Sequence, residues 1–238
     1  QVQDAQQQWL ADPRRRAPLP PAGHLAMSEQ VASLAAIELQ DKALGLLNTA
    51  AYADAEPLLR KVLEGVTGEK NEHGEESSRV PLWTRRLAES LNGQDKFEEA
   101  EPFAKRAQRS FELRFGKDDS DALDAKYLVA ESLFGQDNPH KMEIAAELAQ
   151  GAIQGLLEER GPEHFTTIKC KALHLLILNA QGKSADAKAL AASIQECLQS
   201  VEAQATSRAQ SGGRRLSVAE ARDLREAKNL VTRALTEL

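Results

Sequence analysis

The chain has 238 residues, 42% of them apolar, 28% charged and only 4% aromatic, so its core must come from aliphatic side chains and alanine, which favours helices over sheets. Its 30 basic and 36 acidic side chains leave a net charge of -6, the wrong sign for gripping phosphate backbones, and nucleic acid is not an expected partner. With a mean hydropathy of -0.46 and no apolar run near the ~18 residues that cross a bilayer, the sequence predicts a soluble protein without a membrane span.

The sequence begins at Gln1, which fits either a processed chain whose targeting peptide has gone or a trimmed one, and leaves organellar and cytoplasmic locations both open. Residues 1–27 carry Asp4 and Asp12, lack an apolar h-region, and run through Asp12-Pro13-Arg14-Arg15-Arg16 to Pro18, Pro20 and Pro21. That composition predicts an extended, polyproline-like arm, which something must hold down if it is ordered.

Self-similarity organises residues 28–200. LAESLNGQD at 87–95 returns as VAESLFGQD at 129–137, seven matches in nine at an offset of 42. Tyr52-x-x-Ala55-Glu56-Pro57 returns as Phe97-x-x-Ala100-Glu101-Pro102 at an offset of 45, and the same register continues to Ala145 and Ala187. Three residues after each alanine stands Leu58, Phe103, Leu148 or Leu190, and seven after stands Val62, Ala107, Ala152 or Ile194, which traces one helical face. Upstream lies a second amphipathic segment with Ala43/Leu46, Ala88/Leu91, Ala130/Leu133 and Leu175/Leu178. Each unit is therefore a helical hairpin, with turns at Asn92–Asp95, at Ala180–Lys183, and lengthened in the third unit by Asn138-Pro139-His140. Phe115–Ser120 and Arg160–His164 connect units, their glycines fitting helix C-caps. Small residues let the two helices approach closely, and a hairpin buries that face only by stacking on its neighbour. The expected fold is all-α: a right-handed superhelical solenoid of about four antiparallel helix pairs, its concave wall lined by the first helix of each.

At these residues the chain resembles tetratricopeptide repeats of the long-period kinesin light chain type. That family reads approximately as an L-A helix, a Q-G-K/R-Y/F-x-E-A-E-P-L turn and a G-x-x-H-P-x-T-L connection; here stand Gly93–Phe103, Gln181–Ala187 and Gly161–Thr167. The resemblance covers roughly three quarters of the chain and implies a groove for peptides or proteins. The family's backbone-clamping asparagines are replaced by Arg85-Arg86, Tyr127-Leu128 and Ala172-Leu173, so its cargo specificity is not carried over. A wall mixing Arg85 with Glu89 and Glu131 does not suit the carboxylate clamp of chaperone-tail grooves, and without a heptad segment ahead of the repeats, motor attachment is not expected.

The register turns Leu82, Arg85, Glu89 and Asn92 toward the groove, with Asp124, Tyr127, Glu131 and Phe134 in the third unit and Lys169, Leu176 and Asn179 in the fourth. The partner-binding candidates are Arg85, Glu89, Asn92, Tyr127, Glu131, Phe134, Lys169 and Asn179. Tyr127 and Phe134 are either anchors or inter-repeat packing, and the polar residues either contacts or solvated.

No catalytic or metal site stands out, and no cofactor or small-molecule substrate is expected. Gly182-Lys183-Ser184 matches the end of a phosphate loop, but Ile177 stands where the leading glycine belongs. Cys170 and His174, four apart, could share a metal but lack further ligands, and an enzyme using the Cys170 thiolate ranks last. Residues 201–216 are expected to be a flexible linker and 217–238 a C-terminal helix. Arg214-Arg215-Leu216-Ser217 suits basophilic kinases, making Ser217 a phosphorylation candidate, while Ser217 with Glu220 is also a capping box. The stripe Leu224, Ala227, Val231, Leu235, Leu238 reads as a cap over the open solenoid end, or as a docking helix. The sequence thus points to a non-catalytic protein-interaction scaffold, an accessory subunit of a larger assembly or, alternatively, a free adaptor for short linear peptides. Its partners are other proteins, with attachment to a membrane complex only peripheral.

Overall fold

The computed structural model describes residues 22–67, 77, 79–210 and 217–236. It divides into two compact units, Gln1–Leu39 and Gln40–Leu238. Helices run α1 Ala22–Asn48, α2 Tyr52–Thr67, α3 Arg79–Asn92, α4 Phe97–Phe115, α5 Ser120–Phe134, α6 Pro139–Arg160, α7 Phe165–Ala180, α8 Ser184–Gln210 and α9 Val218–Thr236, with no strand among the described residues. In the main unit each helix from α2 to α8 packs on the next in chain order, and the first helix of a pair rests on the second helix of the pair before: α5 on α4, α7 on α6. This is an all-α, tetratricopeptide-like solenoid.

Two boundaries differ from expectation. α1 starts at Ala22, so residues 22–27, assigned to the arm, are helical, and the rest of the arm lies outside the described residues. The linker expected at 201–216 is helix as far as Gln210, because Glu202-Ala203-Gln204-Ala205 are good helix formers and Val201 stays buried; residues 211–216 lie outside the described residues.

The alanine register forms the core. Ala55, Ala100, Ala145 and Ala187 are all fully buried. The second buried position is four residues on, at Leu59, Ala104, Ala149 and Ala191, while Leu58, Phe103, Leu148 and Leu190 are only half-buried. Four residues is slightly more than one turn, which keeps the deepest seam on the helix just ahead.

The repeated nine-residue motif ties neighbouring pairs together. Gly93 leaves room for the Tyr52 ring, whose atoms would lie 2.4 Å from an added Cβ, and Gly135 does the same for Phe97 at 2.4 Å. The following glutamine reaches back to the Ala-Glu-Pro glutamate: Gln94 Nε2 donates to Glu56 Oε2 at 3.0 Å, Gln136 Nε2 to Glu101 Oε2 at 2.8 Å. Lys96 and Lys141 complete each clamp, at 2.7 and 2.8 Å. Lys96 hydrogen-bonds Glu56 and, against burial and with Arg60 and Gln94, holds its carboxyl at about 2. The next junction has Ala146 where glutamate stood, and the equivalent Gln181 leaves Oε1 buried without a partner.

Candidate functional site

α9 rests on α7 and only at its edge on α8. Its apolar half, Leu224, Ala227, Val231, Ala234 and Leu235, joins a core with Ile168, Ala172, Leu175 and Leu176 of α7 and Ala187 and Ile194 of α8. The described part of the expected stripe, Leu224 to Leu235, therefore packs on the core of the last pair, while Leu238 lies outside the described residues. A helix continuing the solenoid would lie mainly on α8, however, as α5 lies on α4. α9 instead runs along the inner helix, and its polar edge faces the wall formed by the preceding pairs.

The contacts along that edge are specific. Arg222, 6% exposed, donates from Nη1 to the Leu47 carbonyl at 2.8 Å and pairs through Nη2 with Glu89 of α3 at 3.0 Å. Glu226 accepts from Lys169 Nζ at 2.7 Å and from the Tyr52 hydroxyl. Asn179 Nδ2 donates to the Ala234 carbonyl at 2.5 Å. Tyr52, Glu89, Tyr127, Glu131, Lys169, Glu226 and Leu230 together line a cavity of about 180 Å³ between wall and helix.

The electrostatics are those of a closed network. Burial opposes ionisation of Glu89, but Arg86, Arg222 and Lys169 more than offset this and hold its carboxyl at about 2. Burial works against the Lys169 ammonium, yet Glu226, Asp223, Glu89 and Glu131 raise its pKa above the usual lysine value. Glu131 goes the other way: burial dominates and raises its carboxyl, despite Lys169 and hydrogen bonds from Tyr127 (2.7 Å) and Asn92 (2.9 Å). The Lys169 ammonium also stands over the Tyr127 ring, 5.7 Å from its centroid.

Of the sequence-derived candidates, Glu89, Tyr127, Glu131 and Lys169 meet at this cavity, and Asn179 holds the far end of α9. Asn92 serves a different role: it bridges units two and three through the Leu128 carbonyl and Glu131 and accepts from Ser132. Arg85 is buried between pairs, bound to Asp124 at 2.8 Å and Asp121 at 3.2 Å, with Arg160 joining from the other side of Asp124. Phe134 is half-buried against both main core clusters, the packing alternative. Tyr52, Arg222 and Glu226 escaped the sequence reading. Tyr52 stood out only as a repeat position; the signal available for the other two was an Arg and a Glu four apart beside an apolar stripe.

Cys170 is fully buried with its thiol pushed up by burial, which disfavours the thiolate. No group of three metal-ligating side chains occurs among the described residues. Gly182-Lys183-Ser184 forms the turn between α7 and α8. Ser217 and Glu220 form the capping box, each backbone N–H donating to the other's side chain, at 2.7 and 3.2 Å.

No family model and no curated protein matches the chain. Among solved structures it is similar to BtubC (BKLC) from P. vanneervenii, at 13% identity and a TM-score of 0.55, over 91% of this chain and 85% of that one. That likeness concerns the fold alone, and it is the tetratricopeptide-like helical solenoid read from the repeats.

Proposed function

We propose that the chain is a non-catalytic scaffold that acts as an accessory subunit of a larger multiprotein assembly, organellar or cytoplasmic. The observation that carries this reading is the division of its surfaces. The concave wall is satisfied from within, by α9, whereas the end of α4 offers Leu113, 79% exposed, and Phe115, 59% exposed and stacked on Phe111 at 6.4 Å between centroids. Large apolar side chains left this exposed at a helix end are what a constant partner would cover. Crosslinking and mass spectrometry of the intact protein captured from its native source test this. The expected result is a stoichiometric partner crosslinked near the end of α4 and lost on joint Leu113→Glu and Phe115→Glu substitution. Recovery as a lone monomer overturns the reading.

The alternative, an adaptor binding short segments in the concave groove, draws support from a different feature: the groove holds a helix of the chain itself. In that reading Glu89, Tyr127, Glu131, Lys169 and Asn179 contact the bound segment, while Arg85, Asn92 and Phe134 shape the wall. Phosphorylation of Ser217 would act there on the first turn of α9.

A further inference from the structure

The position of α9 is not one that the solenoid requires. Its apolar half covers the last pair, a task that a helix seated on α8 would perform equally. Its polar half meets groups from three of the four pairs: the Leu47 carbonyl, Tyr52 at the start of α2, Glu89 of α3 and Lys169 of α7. The wall presents both signs in a set order, and α9 answers in order, with Arg222 to the acceptors, Glu226 to the donors and Leu230 in the cavity.

Such contacts select a register more than they hold tightly. A buried ion pair loses much of its Coulomb gain to desolvation, so the Arg222–Glu89 and Lys169–Glu226 pairs add little net grip compared with an apolar seat. A tethered helix can do with a weak grip, because a short linker gives an effective concentration on the order of millimolar. A helix arriving from another protein has no such advantage and must offer the same pattern.

We infer that the concave wall is a helix-binding groove, that α9 is its built-in occupant, and that the partner it holds off is an amphipathic helix of α9's own chemistry. That helix carries an arginine, a carboxylate four residues later and a leucine four beyond, as in Arg222, Glu226 and Leu230. The inference goes beyond the scaffold reading, whose partner meets the end of α4, by naming the chemistry of a second partner and the element that regulates its access.

The test uses the full chain and a fluorescent peptide of residues 217–238. In the Glu226→Lys chain the new ammonium faces Lys169, α9 is loosened, and the peptide should bind about tenfold tighter or more than to the unaltered chain. A peptide carrying Glu226→Lys should lose that binding and regain it on a chain carrying Lys169→Glu alone, where the reversed wall charge repels the chain's own Glu226 and pairs with the peptide's new ammonium. Equal binding to the unaltered and Glu226→Lys chains, or none to either, overturns the inference. Amide hydrogen exchange on the unaltered protein covers the case of a variant that fails to fold. There α9 should exchange through local opening at least about tenfold faster than α7, and equal protection overturns the inference, because α9 would then leave only on global unfolding. The two readings fail separately: an α4-end partner captured equally by the unaltered and Glu226→Lys chains, with no peptide binding, removes the occupant and keeps the scaffold. Peptide binding without any captured partner does the reverse.

Discussion

Replacing Gly135 by alanine isolates what the repeated motif does. The new Cβ would sit 2.4 Å from Phe97 Cδ2 and 2.5 Å from both Cε2 and Cγ. Ordinary carbon contacts lie at about 3.5–4.0 Å, so the ring must retreat by roughly 1 Å or more. Because Cγ is among the crowded atoms, rotating the ring does not suffice, and the start of α4 has to move away from α5. Overpacking of this kind costs about 1–3 kcal/mol. Gly135 has φ of -66°, an ordinary helical value, so alanine brings no backbone strain and recovers up to about 1 kcal/mol of helix propensity. The net loss is then up to about 2 kcal/mol with the full propensity gain and up to about 3 kcal/mol without it, or as much as roughly 8–12 °C in Tm for a chain of this size. Melts followed by far-UV circular dichroism and by calorimetry together guard against departure from all-or-none unfolding in a solenoid. In a Phe97→Ala background the obstructing ring is gone, and Gly135→Ala should be neutral or stabilising. An unchanged Tm for the single variant, or the same loss in both backgrounds, would refute the idea that the glycine is there for the ring.

Two further expectations concern titration and access. Glu89 has its carboxyl at about 2 in the folded protein against an ordinary 4.5, so its stabilisation is fully present above pH ~4.5 and disappears as pH falls toward 2. The stability gap between the unaltered chain and Glu89→Gln in denaturant titrations should thus shrink by up to about 3 kcal/mol across that window, and a gap independent of pH would contradict the network. Cys197 is half-exposed and Cys170 fully buried, so iodoacetamide should label Cys197 first in the native protein; peptide mass spectrometry showing equal rates would mean that α7 is not packed as described.

The solenoid was legible because its determinants repeat. Ala55, Ala100, Ala145 and Ala187 are buried alike since helix crossing distance depends on side-chain size at one recurring position, a property carried by the local sequence. The same recurrence exposed the GQD motif, though not its purpose. Glycine there was expected to serve a turn, and only the approach of the Tyr52 and Phe97 rings from the preceding pair gives the reason.

The groove was legible by half. Periodicity placed Glu89, Tyr127, Glu131 and Lys169 on one wall, because a helical face is a local property. Periodicity says nothing about curvature, and curvature brings Leu47 and Arg222, 175 positions apart, within 2.8 Å. The stripe on α9 by itself determined that the helix has an apolar face to bury, and left a cap on the last pair and a docking helix both open. Which side of that pair received it was decided by the tertiary structure, where Lys169, Tyr52 and Glu89 converge on a line that Arg222 and Glu226 can match. Burial can be read from composition along a helix, but the partners of a buried charge are known only once distant helices have met.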